Sequence, residues 1–568
     1  MNNAQILAKS FVDLGVKRVF GFSGATILPA FHAIDACGID IFVGANEQSC
    51  AFAAQGYSRA SDRVGVAVVT SGPAITNTLT AVADANADSI PMLVFAGQVA
   101  QTKVGTDVFQ TINVESIFAD AAKKVIMVSE LMDVEEVVKD AYYLAKSGKP
   151  GPVVIDFPMD VQLMDGQYRA INSERFRLKY EEEHHLGDNQ CKQFFDLLQN
   201  AKRPLLYIGG GLNSREGSEK IRAFNRRYRV PSIWSLMGKG VLNERSDWSL
   251  GMLGMFGVPA ANLAIQDTDL FVAFGVRWDD RVYQKVGESG LEAEIAYFDI
   301  NPEKVQEVRF SRSPQFSFVG KAEMALDDLV RYAETHDIQL DIGEWQKHCK
   351  ELKQRYRLDF NRNTNDIQQA EVMEILSGCM TEDTKITTGV GNHQMFAAQH
   401  LVTLAPKSFL TSGGYGSMGF GLPSAIGAQI ADPDATVIAI DGDGSLLMNL
   451  GELFTIGKYQ LPVKVLLLNN HGDCMVRNIQ DILYDGKHVG TKKITSFSFA
   501  NVAANLGFSF NRRVSDRCEL KQSLQDFISA DGPAFLEIVT DVDEVLYPRI
   551  PAGKGYSNMI LGPYMENS

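Results

Sequence analysis

Between Ala435 and Asn470 the chain reads ATVIAIDGDGSLLMNLGELFTIGKYQLPVKVLLLNN. Two short, largely apolar runs, ATVIAI and VKVLLL, have the character of strands buried on both faces. Between them Leu446, Leu447, Leu450, Leu453, Phe454 and Ile456 recur at three- and four-residue spacing, the period of one helix face. A strand joined to the next through a helix must run parallel to it, and both then end at the same edge of the sheet. Asp443 in the first turn and Asn470 after the second strand are therefore expected to be neighbours in space. The carboxyl edge of a parallel sheet is also where open α/β folds place their ligands.

The same alternation continues along the 568 residues. VKRVFGF, GIDIFVGA, VGVAVVTSG, IPMLVFAGQ and GPVVIDFP read as strands of a first unit. PLLYIGGG, VPSIWSL, DLFVAFGV and EIAYFDI belong to a second, and KITTGVG, KSFLTSGG, ATVIAIDGDG, VKVLLLNN and PAFLEIVT to a third. Residues 168–189 are dense in charge and carry no apolar period, and read as a linker. The expected fold is α/β: three tandem doubly wound domains with mostly parallel sheets, at 1–170, 190–335 and 365–550. A net charge of −15 offers no basic face and argues against nucleic acid as a partner. No apolar run approaches the roughly 18 residues of a membrane span, and the first residues do not resemble a secretory signal. Seven scattered cysteines without a CxxC pair fit a reducing cytoplasm.

Asp443 and Asn470 supply hard oxygen donors of the kind Mg²⁺ takes, and Gly442 and Gly444 permit close backbone approach of a diphosphate. GDGS followed by NN after an apolar strand resembles the thiamine-diphosphate motif. The resemblance implies that Asp443, Asn470 and the carbonyl of Gly472 hold Mg²⁺, with Gly444 and Ser445 beside the cofactor. It implies that Glu47, at the start of a helix after GIDIFVGA, activates the cofactor's pyrimidine. Val390, Gly391, Asn392 and His393 map onto diphosphate contacts, Gly416 onto a carbonyl that accepts from the pyrimidine amino group, and Met418 onto the wedge that keeps the cofactor bent. Met475 and Val476 join the cofactor-contacting positions.

Over nearly the whole chain the resemblance is closest to the large catalytic subunits of acetolactate (acetohydroxyacid) synthases, through stretches such as TSGPAITNTLTAVADANADSIPMLVFAGQV, GKPGPVVIDFPMDVQ and YPRIPAGKGYSNMI. It implies FAD in the middle domain, near Gly209, Gly210, Gly211 and Asp299, with no net redox role. Gln110 is expected to join Glu47 as a catalytic residue, and Phe109, Asp280, Arg281 and Ile479 to line the substrate end. Arg281 suits a carboxylate clamp.

The reaction implied is decarboxylation of a 2-keto acid, pyruvate above all, and ligation to a second carbonyl compound, in a homodimer or homotetramer. The departures gather near the substrate. Asn46 stands where large members often have His, Ser23-Gly24-Ala25-Thr26 replaces a PGGA loop, Cys474 replaces Gly, and Ile479 replaces a Trp tied to acceptor choice. They keep open a specialised acyloin or keto-sugar carboligase, or a plain 2-keto acid decarboxylase. Two readings from other classes stand beside these. Gly414, Gly416 and Gly419 satisfy G-x-G-x-x-G and Asp441 follows at a dinucleotide-like distance, suggesting an NAD-dependent dehydrogenase. A noncatalytic regulatory homologue should show damage at Glu47, Asp443 or Asn470, where none is seen.

Overall fold

The computed structural model describes every residue except 182–183, 279–291, 312, 492–497, 552–553 and 566–568, with the side chains of 309–311 also left out. It contains three six-stranded sheets. The first is built from β1 (Arg18–Phe22), β2 (Asp40–Val43), β3 (Gly65–Val69), β4 (Met92–Gln98), β5 (Lys124–Met127) and β6 (Pro152–Pro158), in the order β2-β1-β3-β4-β6-β5. The second holds β7 (Pro204–Ile208), β8 (Ser232–Trp234), β9 (Ser249–Met252), β10 (Leu270–Phe274), β11 (Glu294–Asp299) and β12 (Phe316–Val319), ordered β12-β11-β10-β7-β8-β9. The third holds β13 (Thr384–Thr388), β14 (Phe409–Leu410), β15 (Thr436–Gly442), β16 (Lys464–Asn469), β17 (Phe510–Val514) and β18 (Ala534–Val539), ordered β14-β13-β15-β16-β18-β17. Among the described residues every ladder between these strands is parallel.

The strands visible as apolar runs are mostly interior ones, such as β4, β10 and β16, in which every residue is buried. The four that the sequence reading misses, β5, β9, β12 and β17, all lie at sheet edges. β5, β12 and β17 have part of their faces in water and need no continuous apolar run. Three consecutive residues of β17 are exposed, whereas β9, Ser-Leu-Gly-Met, is buried throughout but is short and carries no β-branched residue.

Two further expectations are corrected. The charged segment 168–189 is not bare linker: it contains a two-turn helix, Glu174–Tyr180, anchored by buried Phe176. The single helix expected between β15 and β16 is two, α4 (Asp443–Met448) and α5 (Glu452–Tyr459). The chain breaks at Asn449, so Leu446, Leu453 and Ile456 are buried while Leu447 and Phe454 face out.

First and third domains meet through helices α1 (Glu47–Ala60) and α3 (Gly421–Ala431). Their backbones approach so closely that a Cβ on Gly56 would overlap Ser424, and one on Gly427 would overlap Ala53. Phe52 and Phe420 pack edge to face across this contact, ring centroids 5.5 Å apart. The position of α1 is thereby tied to the third domain.

Candidate active site

β15 and β16 pair in parallel with Asp441 opposite Leu467 and Gly442 opposite Leu468, so Asp443 and Asn470 leave adjacent strands at one edge. The two asparagines divide the work. Asn469 donates from Nδ2 to Glu537 Oε1 at 2.9 Å and accepts from the His471 N–H at 3.1 Å, which fixes the strand end. Asn470 follows one residue later and, by strand alternation, on the other side. Among the described residues no three His, Cys, Asp or Glu side chains cluster as a metal site. A cation here must use amide and carbonyl oxygens beside Asp443, a donor set that fits Mg²⁺. The Gly472 carbonyl also accepts from the Cys474 N–H at 2.9 Å, leaving a second lone pair.

Next in the sheet, β13 leads through Gly389, Val390 and Gly391 into α2 (Asn392–His400). Gly391, at φ 153°, brings the chain into the helix without a side-chain cap. Asn392 is buried, and neither its Oδ1 nor its Nδ2 has a hydrogen-bond partner. A buried, unsatisfied amide at a helix start is costly in an apoprotein and marks a place for a polar ligand. Burial lowers the His393 pKa to about 4, so the ring is neutral. Burial also raises Asp441 to about 7, partly offset by the Ser445 hydroxyl and the Gly442 N–H. Gly389, which sequence reasoning missed, presses against Asp441 and Ser445; any Cβ there would overlap both.

The loop between β14 and α3 carries Gly416 and Met418. Gly416 is exposed with φ +74°, Met418 is half-buried, and the Gly419 N–H donates to Ser445 Oγ at 2.9 Å. Asn449, at the break between α4 and α5, donates to the Gly419 carbonyl at 2.8 Å and accepts from Ser49 Oγ at 2.8 Å. It joins this loop to the first turn of α1. Only an Asn inside a Leu-rich helical run signalled it, and the leucine spacing hid the break.

Glu47 opens α1, behind an Asn46 cap that accepts from the Ser49 N–H, and its Oε2 accepts from Asn77 Nδ2 at 2.8 Å. Its turn touches Asn449 and, through the Ala45 N–H, Glu452 Oε1 at 2.8 Å. Burial raises the Glu452 carboxyl. Gln110 has φ +59°, a left-handed backbone uncommon for a side chain of its size. Gly72, itself at φ +62°, has no room for a Cβ against it. Phe109 beside it is almost wholly exposed. In the departing Ser23–Thr26 loop, Thr26 Oγ1 hydrogen-bonds Thr70 Oγ1 at 2.8 Å and Ser71 Oγ at 3.2 Å, so this hydroxyl fastens the loop to β3. Met475 packs against the core on α6 (Cys474–Leu483), whereas Val476 and Ile479 face outward.

At the middle sheet's edge Gly209 and Gly211 pack on Gly275, and the Gly211 N–H donates to the Gly275 carbonyl at 3.0 Å. Gly210 lies against Met237. Burial raises Asp299 to about 6, while it accepts from the Asn301 N–H at 2.7 Å and the Tyr297 hydroxyl at 3.4 Å. Asp280 and Arg281 lie outside the described residues.

Three thiamine pyrophosphate enzyme families match in tandem: the N-terminal TPP binding domain at residues 1–117, the central domain at 191–329 and the C-terminal TPP binding domain at 389–538. The Escherichia coli K12 acetolactate synthase isozyme 2 large subunit is 34% identical over 561 residues, 99% of either chain. The chain belongs to the thiamine pyrophosphate enzyme family. Within it the acetolactate synthase large subunit of Pyropia yezoensis is 36% identical over 98% of this chain and 94% of its own. The chloroplastic acetolactate synthase of Arabidopsis thaliana is 35% identical over 98% and 84%. An acetolactate synthase-like enzyme is thus supported over the full length, and the dehydrogenase reading is not favoured. In the apparent dinucleotide loop the Gly414 N–H is held by Asp88 Oδ1 at 2.7 Å, and the preceding strand, β14, has two residues. Among the described residues no helix is long and apolar enough to cross a membrane.

Proposed function

We propose that this protein is a thiamine-diphosphate- and Mg²⁺-dependent carboligase that decarboxylates pyruvate and joins the remaining two carbons to a second 2-keto acid, giving acetolactate when the acceptor is pyruvate. The observation that carries the reading is the buried cradle at one edge of the third sheet: Asp443 beside Asn470, with the unsatisfied Asn392 amide at the start of α2. Asp443, Asn470 and the Gly472 carbonyl would hold Mg²⁺, while Asn392, His393, Gly444 and Ser445 would take the diphosphate. When bound, thiamine diphosphate supplies the carbon nucleophile on which a 2-keto acid loses CO₂. Glu47 would hold a proton toward the pyrimidine, Gly416 would orient the amino group through its carbonyl, and Met418 would bound the cofactor's side of the site. Neutral His393 adds no competing positive charge beside the metal.

A homodimer, or a tetramer built from it, is supported by the family resemblance and by apolar side chains left exposed in the first and third domains: Phe109, Met448, Phe454, Val476 and Ile479. FAD in the middle domain rests on the family resemblance and on the glycine-rich edge near Gly209–Gly211 and Asp299; a flavin absorption band in the purified protein decides it.

Products formed from pyruvate alone, and with a panel of aldehydes and 2-keto acids, test the reaction by mass spectrometry. Acetolactate as the main product is expected. Acetaldehyde as the sole product would make the protein a decarboxylase, and a mixed acyloin in preference to acetolactate would move the acceptor class. Glu47→Gln should retain the cofactor while turnover falls on the order of a hundredfold or more.

A further inference from the structure

Behind the loop that carries Gly416 and Met418 lies a buried charge cluster assigned to no step above. Arg59, in the last turn of α1, places Nη2 3.0 Å from Asp84 Oδ1 and 2.9 Å from Asp88 Oδ2, and all three side chains are sealed from solvent. Burial pushes the Asp84 carboxyl up, the Arg277 guanidinium lies against Gly414 beside Asp88, and the carboxyl oxygens that Arg59 does not reach must be met by further donors.

The loop supplies them. Asp84 Oδ2 accepts from the hydroxyls of Ser412 and Ser417, the latter at 2.8 Å. Asp88 accepts from the backbone N–H groups of Gly413 at 2.9 Å and Gly414 at 2.7 Å. Arg59 Nη1 donates to the Thr411 carbonyl at 3.0 Å, and the Ser417 N–H closes the loop on Ser412 Oγ at 2.8 Å. Moving the loop away would strand two carboxylates in a dry site, so the cluster holds it in one conformation.

We propose that Asp84, Asp88 and Arg59 are positioning residues for the reaction: they fix the 411–418 loop so that the Gly416 carbonyl and the Met418 side chain face the pyrimidine end of the cofactor. Because Arg59 and Glu47 are the last-turn and first-turn residues of one helix, α1 sets both the proton-holding carboxylate and the loop. Twelve residues separate them, about 18 Å of rigid helix. The inference rests on the thiamine-diphosphate reading of the third-domain edge.

The test uses full-length Ser417→Ala and Asp88→Asn. Thiamine-diphosphate affinity is measured calorimetrically with Mg²⁺ in excess, kcat and KM for pyruvate are measured at saturating cofactor, and melting is followed without cofactor. Loss of one bond to a buried carboxylate should weaken cofactor binding about tenfold in Ser417→Ala and more in Asp88→Asn. In both, kcat should fall at saturation with KM little changed; a merely structural role would lower the melting temperature of the apoprotein while leaving kcat at saturating cofactor at the wild-type value. Cofactor affinity and kcat within twofold of wild type in both folded variants would overturn the inference, as would failure of both to fold. Wild-type protein that does not bind thiamine diphosphate would instead overturn the functional reading on which the inference rests.

Discussion

The middle and third domains present the same architectural edge, glycine-rich turns at the carboxyl ends of parallel strands, and they finish it differently. In the middle domain the glycines are needed by one another: Gly209 and Gly211 have no space because Gly275 backs them, and the Gly211 N–H is spent on Gly275. Asp299 is likewise satisfied, by the Asn301 N–H and the Tyr297 hydroxyl. In the third domain Gly389 is needed by the side chains of Asp441 and Ser445, and the buried Asn392 amide has no protein partner. A glycine-rich edge by itself therefore says little about a ligand. Single buried atoms without a partner also occur near the middle edge, at Trp234 Nε1 and Trp278 Nε1. What sets the third edge apart is a whole buried amide, both Oδ1 and Nδ2 of Asn392, left unsatisfied at a helix start.

Four substitutions break this contrast, ordered by expected effect on cofactor binding. Asp443→Ala should weaken binding of thiamine diphosphate with Mg²⁺ a hundredfold or more, leaving any flavin absorbance unchanged; calorimetric titration and a visible spectrum read both. Gly389→Ala should weaken binding about tenfold to a hundredfold by displacing Asp441 and Ser445, and overpacking should cost about 1–3 kcal/mol in denaturant unfolding. Gly211→Ala puts a Cβ 2.7 Å from Gly275 Cα. It should lower stability by a similar roughly 1–3 kcal/mol while thiamine-diphosphate affinity in the folded protein stays at wild type.

Glu544→Gln should leave cofactor binding untouched and alter stability and its pH dependence. Burial raises this carboxyl from 4.5 to about 8, although it accepts from the Gln369 and Ala370 N–H groups. Between those pH values the unfolded chain has lost the proton and the folded chain keeps it. Wild-type apoprotein should therefore lose stability as pH rises through that window. Gln cannot titrate, but its Nε2 cannot accept from the backbone N–H that one carboxyl oxygen takes. The variant should therefore start less stable than the wild type at about pH 5 and close the gap by about 1 kcal/mol or more as pH rises to about 8, read from unfolding curves at several pH values.

Much of this was legible in order. Buried central strands are apolar on both faces, so β4, β10 and β16 stand out in the sequence, and the parallel crossover placed Asp443 beside Asn470 before any coordinates. Edge strands such as β17 escaped because water replaces the packing that would demand apolar residues. Asn449 was hidden because the leucine spacing runs through the helix break it makes. Gly389 and the Arg59, Asp84 and Asp88 cluster were illegible for a different reason. Their roles come from contacts between segments distant in sequence, 52 residues for Gly389 with Asp441 and 333 for Asp84 with Ser417, that no local pattern encodes. Asp280 and Arg281 lie outside the described residues and stand as expectations from sequence.

The central claim is that the third-domain edge is shaped for a diphosphate held through a metal. Titration of metal-free, cofactor-free protein with thiamine diphosphate, in the presence and absence of Mg²⁺, tests it directly. The account predicts saturable binding that requires Mg²⁺ and disappears in Asp443→Ala. Absence of saturable binding with Mg²⁺ present, or equal binding by wild type and Asp443→Ala, would contradict it.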